Sequence, residues 1–166
     1  THVHGAGGCD VMDGTIESLQ TLSKALLQEG TTAFLPTTMS SSPEQLQKVL
    51  QNVADFQPCQ SQGAEILGLH LEGPFIAKGY RGAQATETIW DDAKSGSVQC
   101  FASLLQAFPN LVKILTFAPE RADGRALAKV CLEHGVIASA GHTAADFEEM
   151  EQAMQWGVRH ITHAFN

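Results

Sequence analysis

Hydrophobic positions along this chain recur with two periods that follow one another in a regular order. Short runs rich in Val, Ile, Leu, Thr or Ala alternate with stretches in which apolar residues return every three or four positions, as on one face of a helix. In the first such stretch Leu19, Leu22, Leu26 and Leu27 mark the predicted buried face. The helices predicted in this way cover residues 15–29, 42–56, 98–108, 125–134 and 143–156.

Polar residues at the helix starts supply capping signals. Ser42 precedes Pro43 and is followed by Gln45, which together predict an N-cap, a first-turn proline and a capping box. Asp123 is the predicted N-cap of the fourth helix. Thr143 is the predicted N-cap of the fifth, with a carboxylate three residues later in the capping-box position.

The apolar runs predict six strands, which end or lie at residues 1–4, 31–40, 64–73, 111–120, 136–142 and 159–166. Strands that alternate with amphipathic helices form a parallel sheet with helices outside. A doubly wound sheet is the default at this length. However, polar residues at the ends of the first, third, fifth and sixth strands converge more easily in a closed barrel.

We therefore predict an α/β fold that is a partial (β/α)8 TIM barrel, with about six β-α units present and the last units missing. Residues 1–166 would form a single incomplete barrel domain. Thr1 falls within what looks like the end of a strand, and the chain stops at Asn166 directly after another. We expect the sequence to be an excerpt from a longer enzyme.

Composition narrows the choice of partners. The formal net charge is -8 and the pI is near 5.2, which argues against a nucleic-acid-binding surface but permits an anionic small substrate in a local pocket. The four cysteines contain no C-x-x-C pair and are typical of reduced cytosolic thiols, so we expect a cytoplasmic protein. No apolar run approaches the roughly 20 residues that span a bilayer, so no membrane partner is expected.

Histidines and one glutamate at strand ends carry the candidate chemistry. His2 and His4 in THVHG are two residues apart and would point to the same side of a strand. Glu72 ends the run LGLHLEG, His142 follows IASAG, and His163 lies in HITHAFN. Imidazoles and a carboxylate are ligands for a catalytic divalent metal. Taken alone, an H-x-H pair is as often incidental as functional. Glu72 could instead cap the backbone of the following loop.

Three further histidines receive structural interpretations. His70 lies one step deeper than Glu72 on the same strand face and is read as a hydrogen-bonded core residue. His160 should point to the opposite face from His163, because three positions along a strand reverse the side-chain direction. His134 precedes a glycine and is read as a helix C-terminal residue.

Seven motifs in order resemble those of the N-acetylglucosamine-6-phosphate deacetylases of the amidohydrolase superfamily. The resemblance covers essentially the whole chain, and HLEGPF, SAGHT and a following THxxN are its most specific parts. The motifs are THVHGAGG, TTAFLPTTMSS, LGLHLEGPF, GYRGAQ, TFAPE, SAGHT and THAFN.

The resemblance implies hydrolysis of the acetamide of N-acetylglucosamine 6-phosphate to glucosamine 6-phosphate and acetate. It implies that Glu72, His142 and His163 bind the main divalent metal, and that His2 and His4 match a pair that binds a second metal in some members. One carboxylate with imidazoles suits zinc or iron about equally, so one or two ions of either metal are expected.

The resemblance also implies substrate contacts at Ala83 and Asn166. The catalytic aspartate of the family, with a histidine and an arginine that contact the substrate, would follow Asn166. Asp10 and Asp13 are not assigned that role, so no catalytic residue is predicted within the chain. We expect these residues alone to lack activity.

Two alternatives stay open on the sequence. The chain could belong to an amidohydrolase that acts on another cyclic or linear amide. It could also be an inert metal-binding stretch that self-associates, since an open sheet edge promotes pairing between copies. Either way a homo-oligomer is expected.

Overall fold

The computed structural model describes residues 1–90 and 96–165. Within these ranges there are five α-helices, named α1 to α5, and each carries an apolar face toward the sheet or a neighbouring helix. The first four begin and end within one residue of their predicted bounds. The helices are Ile16–Gln28, Pro43–Phe56, Ser97–Ala107, Gly124–Glu133 and Phe147–Gln155.

The strands of the described residues are short, and nine are present, named β1 to β9. The first two form an antiparallel hairpin, and the third and fifth pair with each other in parallel. In chain order the strands are Gly5–Ala6, Cys9–Asp10, Ala33–Phe34, Thr37–Thr38, Glu65–Ile66, Leu69–Glu72, Val112–Phe117, Ile137–Ala140 and His160–Ile161.

Two predicted strands are each broken in the middle. The run 31–40 forms β3 and β4, separated at Pro36, which has no N–H to donate to a ladder. The run 64–73 forms β5 and β6, separated at Gly68, whose φ of 142° lies outside the range of ordinary residues. A Cβ at Gly68 would lie 2.5 Å from the Leu111 carbonyl oxygen, so only glycine permits this approach of the two segments.

The main sheet is parallel, in the order β4-β6-β7-β8-β9. Val3 adds a bridge to Pro36 beside β4. Neighbouring strands of this sheet therefore follow the order of the chain, and all carboxyl ends meet at one edge. The predicted parallel α/β arrangement is confirmed.

The core lies mainly between the helices and the sheet. Leu19 and Leu22 of α1 are buried as predicted, but Leu27 is 46% exposed. A helix turns about 100° per residue, which places Leu27 roughly 110° from the centre of the face formed by the other three leucines. The prediction that Leu27 is buried was wrong, because one residue after Leu26 the helix has already turned the side chain away from that face.

The capping predictions were partly wrong. Ser42 does accept a hydrogen bond from the Gln45 backbone N–H, but the Gln45 side chain donates to the Met12 carbonyl and completes no capping box. Asp123 occupies the N-cap position of α4 without capping it. Its carboxylate instead binds the guanidinium of Arg121.

The fifth helix begins later than predicted. Asp146 is its N-cap and forms a capping box with Glu149, so the helix starts at Phe147 rather than after Thr143. Thr143 accepts a hydrogen bond from Ala145 N and donates to Glu120. In the described part of the chain, no helix combines the length and apolarity that crossing a membrane requires.

Leu115 lies in the central strand β7 and is fully buried, so replacing it with alanine should leave a cavity. We expect Leu115→Ala to lower the free energy of unfolding by about 2–5 kcal/mol, measured by chemical denaturation. Leu132 on α4 is 72% exposed, and Leu132→Ala is the matched control with a change within about 0.5 kcal/mol. Equal losses in both variants would contradict this description of the core.

Candidate metal centre

Glu72 is the last residue of β6, and its carboxylate is almost completely buried. Oxygen Oε1 lies 2.8 Å from His163 Nε2 and 3.1 Å from His142 Nε2. His2 Nε2 is 3.4 Å from the same oxygen, and His4 Nε2 is 3.4 Å from Oε2. The structure therefore brings the four predicted histidine ligands together around the fifth predicted ligand, the Glu72 carboxylate.

The H-x-H pair is held by the bridge beside β4. Val3 N donates to Thr37 Oγ1, and Thr37 N donates back to the Val3 carbonyl. The Val3 backbone is thus hydrogen-bonded to the sheet. The side chains of His2 and His4 project together, with their Nε2 atoms 3.1 Å apart. This same-face arrangement is the one predicted from their spacing.

His142 and His163 lie just beyond strand ends, in left-handed backbone conformations with φ of 50° and 58°. Such values are uncommon for residues other than glycine, and they cluster at functional sites. His163 reaches the cluster. His160 contacts Ser139 Oγ, which is linked through Thr162 and Thr116 to His70, so His160 lies on the same side of the sheet as the cluster and the prediction of an opposite face was wrong. The strand ends at Ile161, however, so the backbone turn and not simple alternation aims His163 at Glu72.

Hydrogen bonds to backbone carbonyls orient two of the rings. His142 Nδ1–H donates to the Tyr80 carbonyl at 2.7 Å, and His4 Nδ1–H donates to the Thr37 carbonyl at 3.0 Å. A carbonyl only accepts, so these contacts place the proton on Nδ1 and direct Nε2 toward Glu72. This is the usual arrangement of a histidine that binds a metal through Nε2.

The electrostatics of the cluster favour an ionised carboxylate. Burial alone would raise the pKa of Glu72, but its contacts with His142 and His4 outweigh burial and hold that pKa well below its ordinary range. The same contacts raise the pKa of His142 and of His4. Burial, reinforced by the neighbouring imidazoles, lowers the pKa of His2 to about 4 against the pull of Glu72.

Two buried ring nitrogens, His2 Nδ1 and His142 Nε2, have no hydrogen-bond partner. His142 Nε2 is near Glu72 Oε1 but outside hydrogen-bond geometry. Ligand atoms of His2, Glu72 and His163 also lie within 4.8 Å of one another. Unsatisfied imidazole nitrogens around a buried carboxylate fit the donor set that zinc or iron takes in proteins.

Gln84 is a site residue that the sequence interpretation missed. Its side chain is buried, its Nε2 donates to Glu72 Oε2 at 2.9 Å, and its Oε1 accepts from Ser40 N at 2.8 Å. Gln84 thereby fixes the rotation of the Glu72 carboxylate. Its place directly after Ala83 in GYRGAQ was the available signal, but glutamine is mostly a surface residue and nothing in its spacing indicates burial.

The predicted substrate positions have different outcomes. Ala83 is exposed on the loop that flanks His142, where a Cβ at Gly82 would lie 3.4 Å from His142 Cε1. Asn166 lies outside the described residues. Asp10 and Asp13 form a reciprocal cap at the turn after β2.

His70 is buried next to the cluster and is hydrogen-bonded at both ring nitrogens. Nδ1–H donates to the Thr1 carbonyl at 2.9 Å, and Nε2 lies 2.6 Å from Thr116 Oγ1. Burial lowers the pKa of His70 to about 4, so the ring is neutral and Nε2 accepts from the threonine hydroxyl. This arrangement agrees with the structural role predicted for it.

The fold and this cluster define a class: a parallel α/β protein with a histidine–carboxylate centre at the carboxyl ends of its strands. No family model matches the chain. Individual proteins do match it. The chain is similar over almost its whole length to N-acetylglucosamine-6-phosphate deacetylases, which confirms the resemblance seen in the motifs.

Two curated relatives and three solved structures illustrate this similarity. The deacetylase of Bacillus subtilis (strain 168) is 36% identical over 99% of this chain and 41% of its own length, and that of Homo sapiens is 33% identical over 99% and 40%. The Mycobacterium smegmatis deacetylase structure has a TM-score of 0.86 at 28% identity, covering 100% of this chain and 42% of its own.

A D267A mutant of the same mycobacterial enzyme, solved in complex with N-acetyl-D-glucosamine-6-phosphate, has a TM-score of 0.86 at 27% identity over 99% of this chain and 41% of its own. The Thermotoga maritima enzyme has a TM-score of 0.83 at 32% identity, over 99% and 42%. The chain thus spans about two fifths of the length of the proteins it matches.

Gln84→Ala should remove two hydrogen bonds, one from Gln84 Nε2 to the Glu72 carboxylate and one from Ser40 N to Gln84 Oε1. The buried partners would then be unsatisfied, so we expect the free energy of unfolding to fall by about 1–3 kcal/mol in the presence of a chelator. Gln51→Ala removes an exposed hydrogen bond to Asp55 and serves as the matched control, with a change within about 0.5 kcal/mol. Chemical denaturation of both variants checks this. An unchanged free energy of unfolding in Gln84→Ala would contradict the role of Gln84 in holding the Glu72 carboxylate.

Proposed function

We propose that this chain forms the metal-binding part of an N-acetylglucosamine-6-phosphate deacetylase. The reaction would hydrolyse the acetamide to glucosamine 6-phosphate and acetate. The observation that carries the proposal is the convergence of four histidines on the buried Glu72 carboxylate, at the strand ends where the resembling motifs lie. The similarity to deacetylases along the whole chain supports the choice of substrate.

We propose further that the parallel sheet belongs to a (β/α)8 barrel, of which this chain supplies about six units. The support is the strand order, because neighbouring strands of the main sheet follow the order of the chain, whereas a doubly wound sheet reverses its order midway. In such barrels the active site is built at the carboxyl ends of the strands, which is where the cluster lies.

The two oxygens of Glu72 suggest how one or two ions would be held. Oε1 faces His142 and His163, which are the proposed ligands of the main ion. Oε2 faces His4, and His4 together with His2, whose Nε2 is near Oε1, would hold a second ion. A bound zinc or iron ion would polarise the amide carbonyl and make a water molecule more acidic.

The sugar phosphate would occupy the cavity beside His142 and His163. This cavity has a volume of about 430 Å³ and is also lined by Tyr80, Gly82 and Thr143. The size lies in the ordinary range for small-molecule sites. A larger groove of about 610 Å³ near Trp90 is lined by none of the five proposed ligands and is not the proposed site.

Substrate contacts are proposed at Ala83 and Asn166, as the resemblance implies. No residue is assigned here to move the proton between water and the leaving amine. Glu72 is committed to the imidazoles and Gln84, while Asp10 and Asp13 bind each other. What these residues contribute is the binding of the cation and the orientation of the amide against it.

Acetate release from N-acetylglucosamine 6-phosphate by the protein that carries this sequence tests the proposal. Glu72→Ala should lower the rate by more than about a hundredfold, because even residues that only orient metal ligands cost 10- to 100-fold when changed. Bound metal should fall in parallel. The exposed Glu65 provides the matched control, and Glu65→Ala should keep both metal and activity.

This experiment tests the assignment of the metal ligands and the assignment of the substrate separately. An active protein whose Glu72→Ala variant keeps its metal would contradict the ligand assignment. A protein that binds metal but releases no acetate would contradict the substrate, and a panel of cyclic and linear amides would then test the alternative amidohydrolase.

A second candidate role concerns the 166 residues by themselves: binding metal and self-associating without hydrolysis. The observation that favours it is Ile161, which is 59% exposed on β9, the last strand of the described sheet. Phe147 and Met154 on α5 are exposed as well. Apolar side chains at an open strand edge promote pairing with another copy.

We expect sedimentation velocity to detect dimers or larger species of the 166-residue chain. Ile161→Lys should shift the distribution toward monomer, because a charge on an edge strand opposes pairing. Leu132→Lys places the same charge at an exposed leucine on α4 and should leave the distribution unchanged. A single monomeric species of the unmodified chain would contradict this role.

A further inference from the structure

Glu120 lies outside the metal cluster, in the turn that follows β7, yet its carboxylate is bound to the segment that carries His142. Oε2 accepts from Thr143 Oγ1 at 2.5 Å, and Oε1 accepts from Ala144 N at 2.6 Å. Both partners follow His142 directly in the chain. Both carboxylate oxygens of Glu120 thus bind the connection between β8 and α5, whereas Glu120 itself lies in the connection between β7 and α4.

These contacts are not needed to start the next helix. Helix α5 begins at Phe147, where Asp146 and Glu149 form a complete capping box of their own. Thr143 additionally accepts from Ala145 N, which closes a small turn between His142 and the helix. Glu120 therefore fixes the residues between the strand end and the helix, where the backbone turns to aim His142.

His142 itself is held from the opposite side by the loop after β6. Ala77 N donates to the His142 carbonyl at 2.9 Å, and the Tyr80 carbonyl accepts from His142 Nδ1–H. The left-handed φ of 50° is uncommon for a histidine and must be maintained by its surroundings. The Ala77–Tyr80 loop and Glu120 together enclose the turn.

Arg121, next to Glu120 in the chain, links the turn that carries Glu120 to the loop after β6. Its guanidinium binds both Asp123 carboxylate oxygens, at 2.9 and 3.0 Å, and also donates to the carbonyls of Ile76 and Trp90. The Arg121 side chain is only 9% exposed, and a paired, buried guanidinium of this kind is geometrically rigid. The turn that carries Glu120 is therefore anchored to the loop that contacts His142.

We propose that Glu120 is a positioning residue for the metal centre. Through Thr143 and Ala144 it holds the turn in which His142 Nε2 faces Glu72 Oε1, and so it sets the affinity for the cation without touching it. This inference rests on the metal centre proposed above. It adds a residue from the TFAPE segment, to which no site role was assigned from the sequence.

Titration with Co²⁺, followed by the visible absorption of the bound ion and by competition with a chelator, measures the affinity directly. Glu120→Ala should weaken binding by about tenfold or more, the range found for residues that orient metal ligands. Thr143→Val, which lacks the hydroxyl, should weaken it as well. Thr143→Ser keeps the hydroxyl and should retain the affinity and the cobalt spectrum of the unmodified protein.

Asp146→Ala is the matched control for a merely structural role. It removes the N-cap of α5 and should lower the midpoint of thermal unfolding, while leaving the Co²⁺ affinity and spectrum unchanged. If Asp146→Ala weakens Co²⁺ binding as much as Glu120→Ala does, Glu120 acts only through general stability and the proposal is wrong.

The remaining outcomes separate this proposal from the metal centre beneath it. An unmodified protein that binds no Co²⁺ overturns the metal centre and this inference with it. Binding by the unmodified protein with equal affinity in Glu120→Ala overturns only the positioning role. If Glu120→Ala does not fold, the contrast between Thr143→Val and Thr143→Ser decides, and equal affinities there overturn the role.

Discussion

The buried charge of Glu72 is the constraint on which the rest of the site depends. A carboxylate removed from water is costly unless cations or hydrogen-bond donors surround it. Here four imidazoles and the Gln84 amide surround it, and they come from the segment before β1, the loop after β6 and the ends of β8 and β9. The parallel sheet makes this possible because its strands all end at one edge. Separate connections can thereby contribute to one charge.

A polar layer continues below the cluster, on the side of the sheet away from the helices. It is a chain of hydrogen bonds whose direction is set at one end, because the Thr1 carbonyl can only accept from His70 Nδ1–H and leaves Nε2 to accept in turn. Each hydroxyl then donates toward His70 and accepts from the next, ending at His160 Nδ1–H. The members are His70, Thr116, Thr162, Ser139 and His160. Fully paired polar groups of this kind favour one arrangement of the strands, since a shift of register would leave several unsatisfied.

Local pattern predicted elements well where a single segment decides the outcome, and poorly where a side chain had a choice of partners. Four helices lie within a residue of their predicted bounds because their apolar spacing is local, and Gly30 and Gly135 add local stops after α1 and α4. Asp123 and Thr143 have the chemistry of N-caps, but Arg121, two residues before Asp123, and Glu120, 23 residues before Thr143, offer charged partners instead. Gln45 likewise donates to Met12 across the fold instead of closing its own helix.

The sequence by itself determined the alternation of strands and helices, the pairing of His2 with His4 on one side, and the residue types of the cluster, because these follow from period and chemistry within short stretches. The tertiary structure alone decided that the four histidines share one carboxylate, that Gln84 orients it, and that Glu120 holds the turn at His142. Those contacts join residues 12 to 91 positions apart. Their existence depends on the register of the parallel strands and on backbone turns such as that at His142, and neither is encoded in a local pattern.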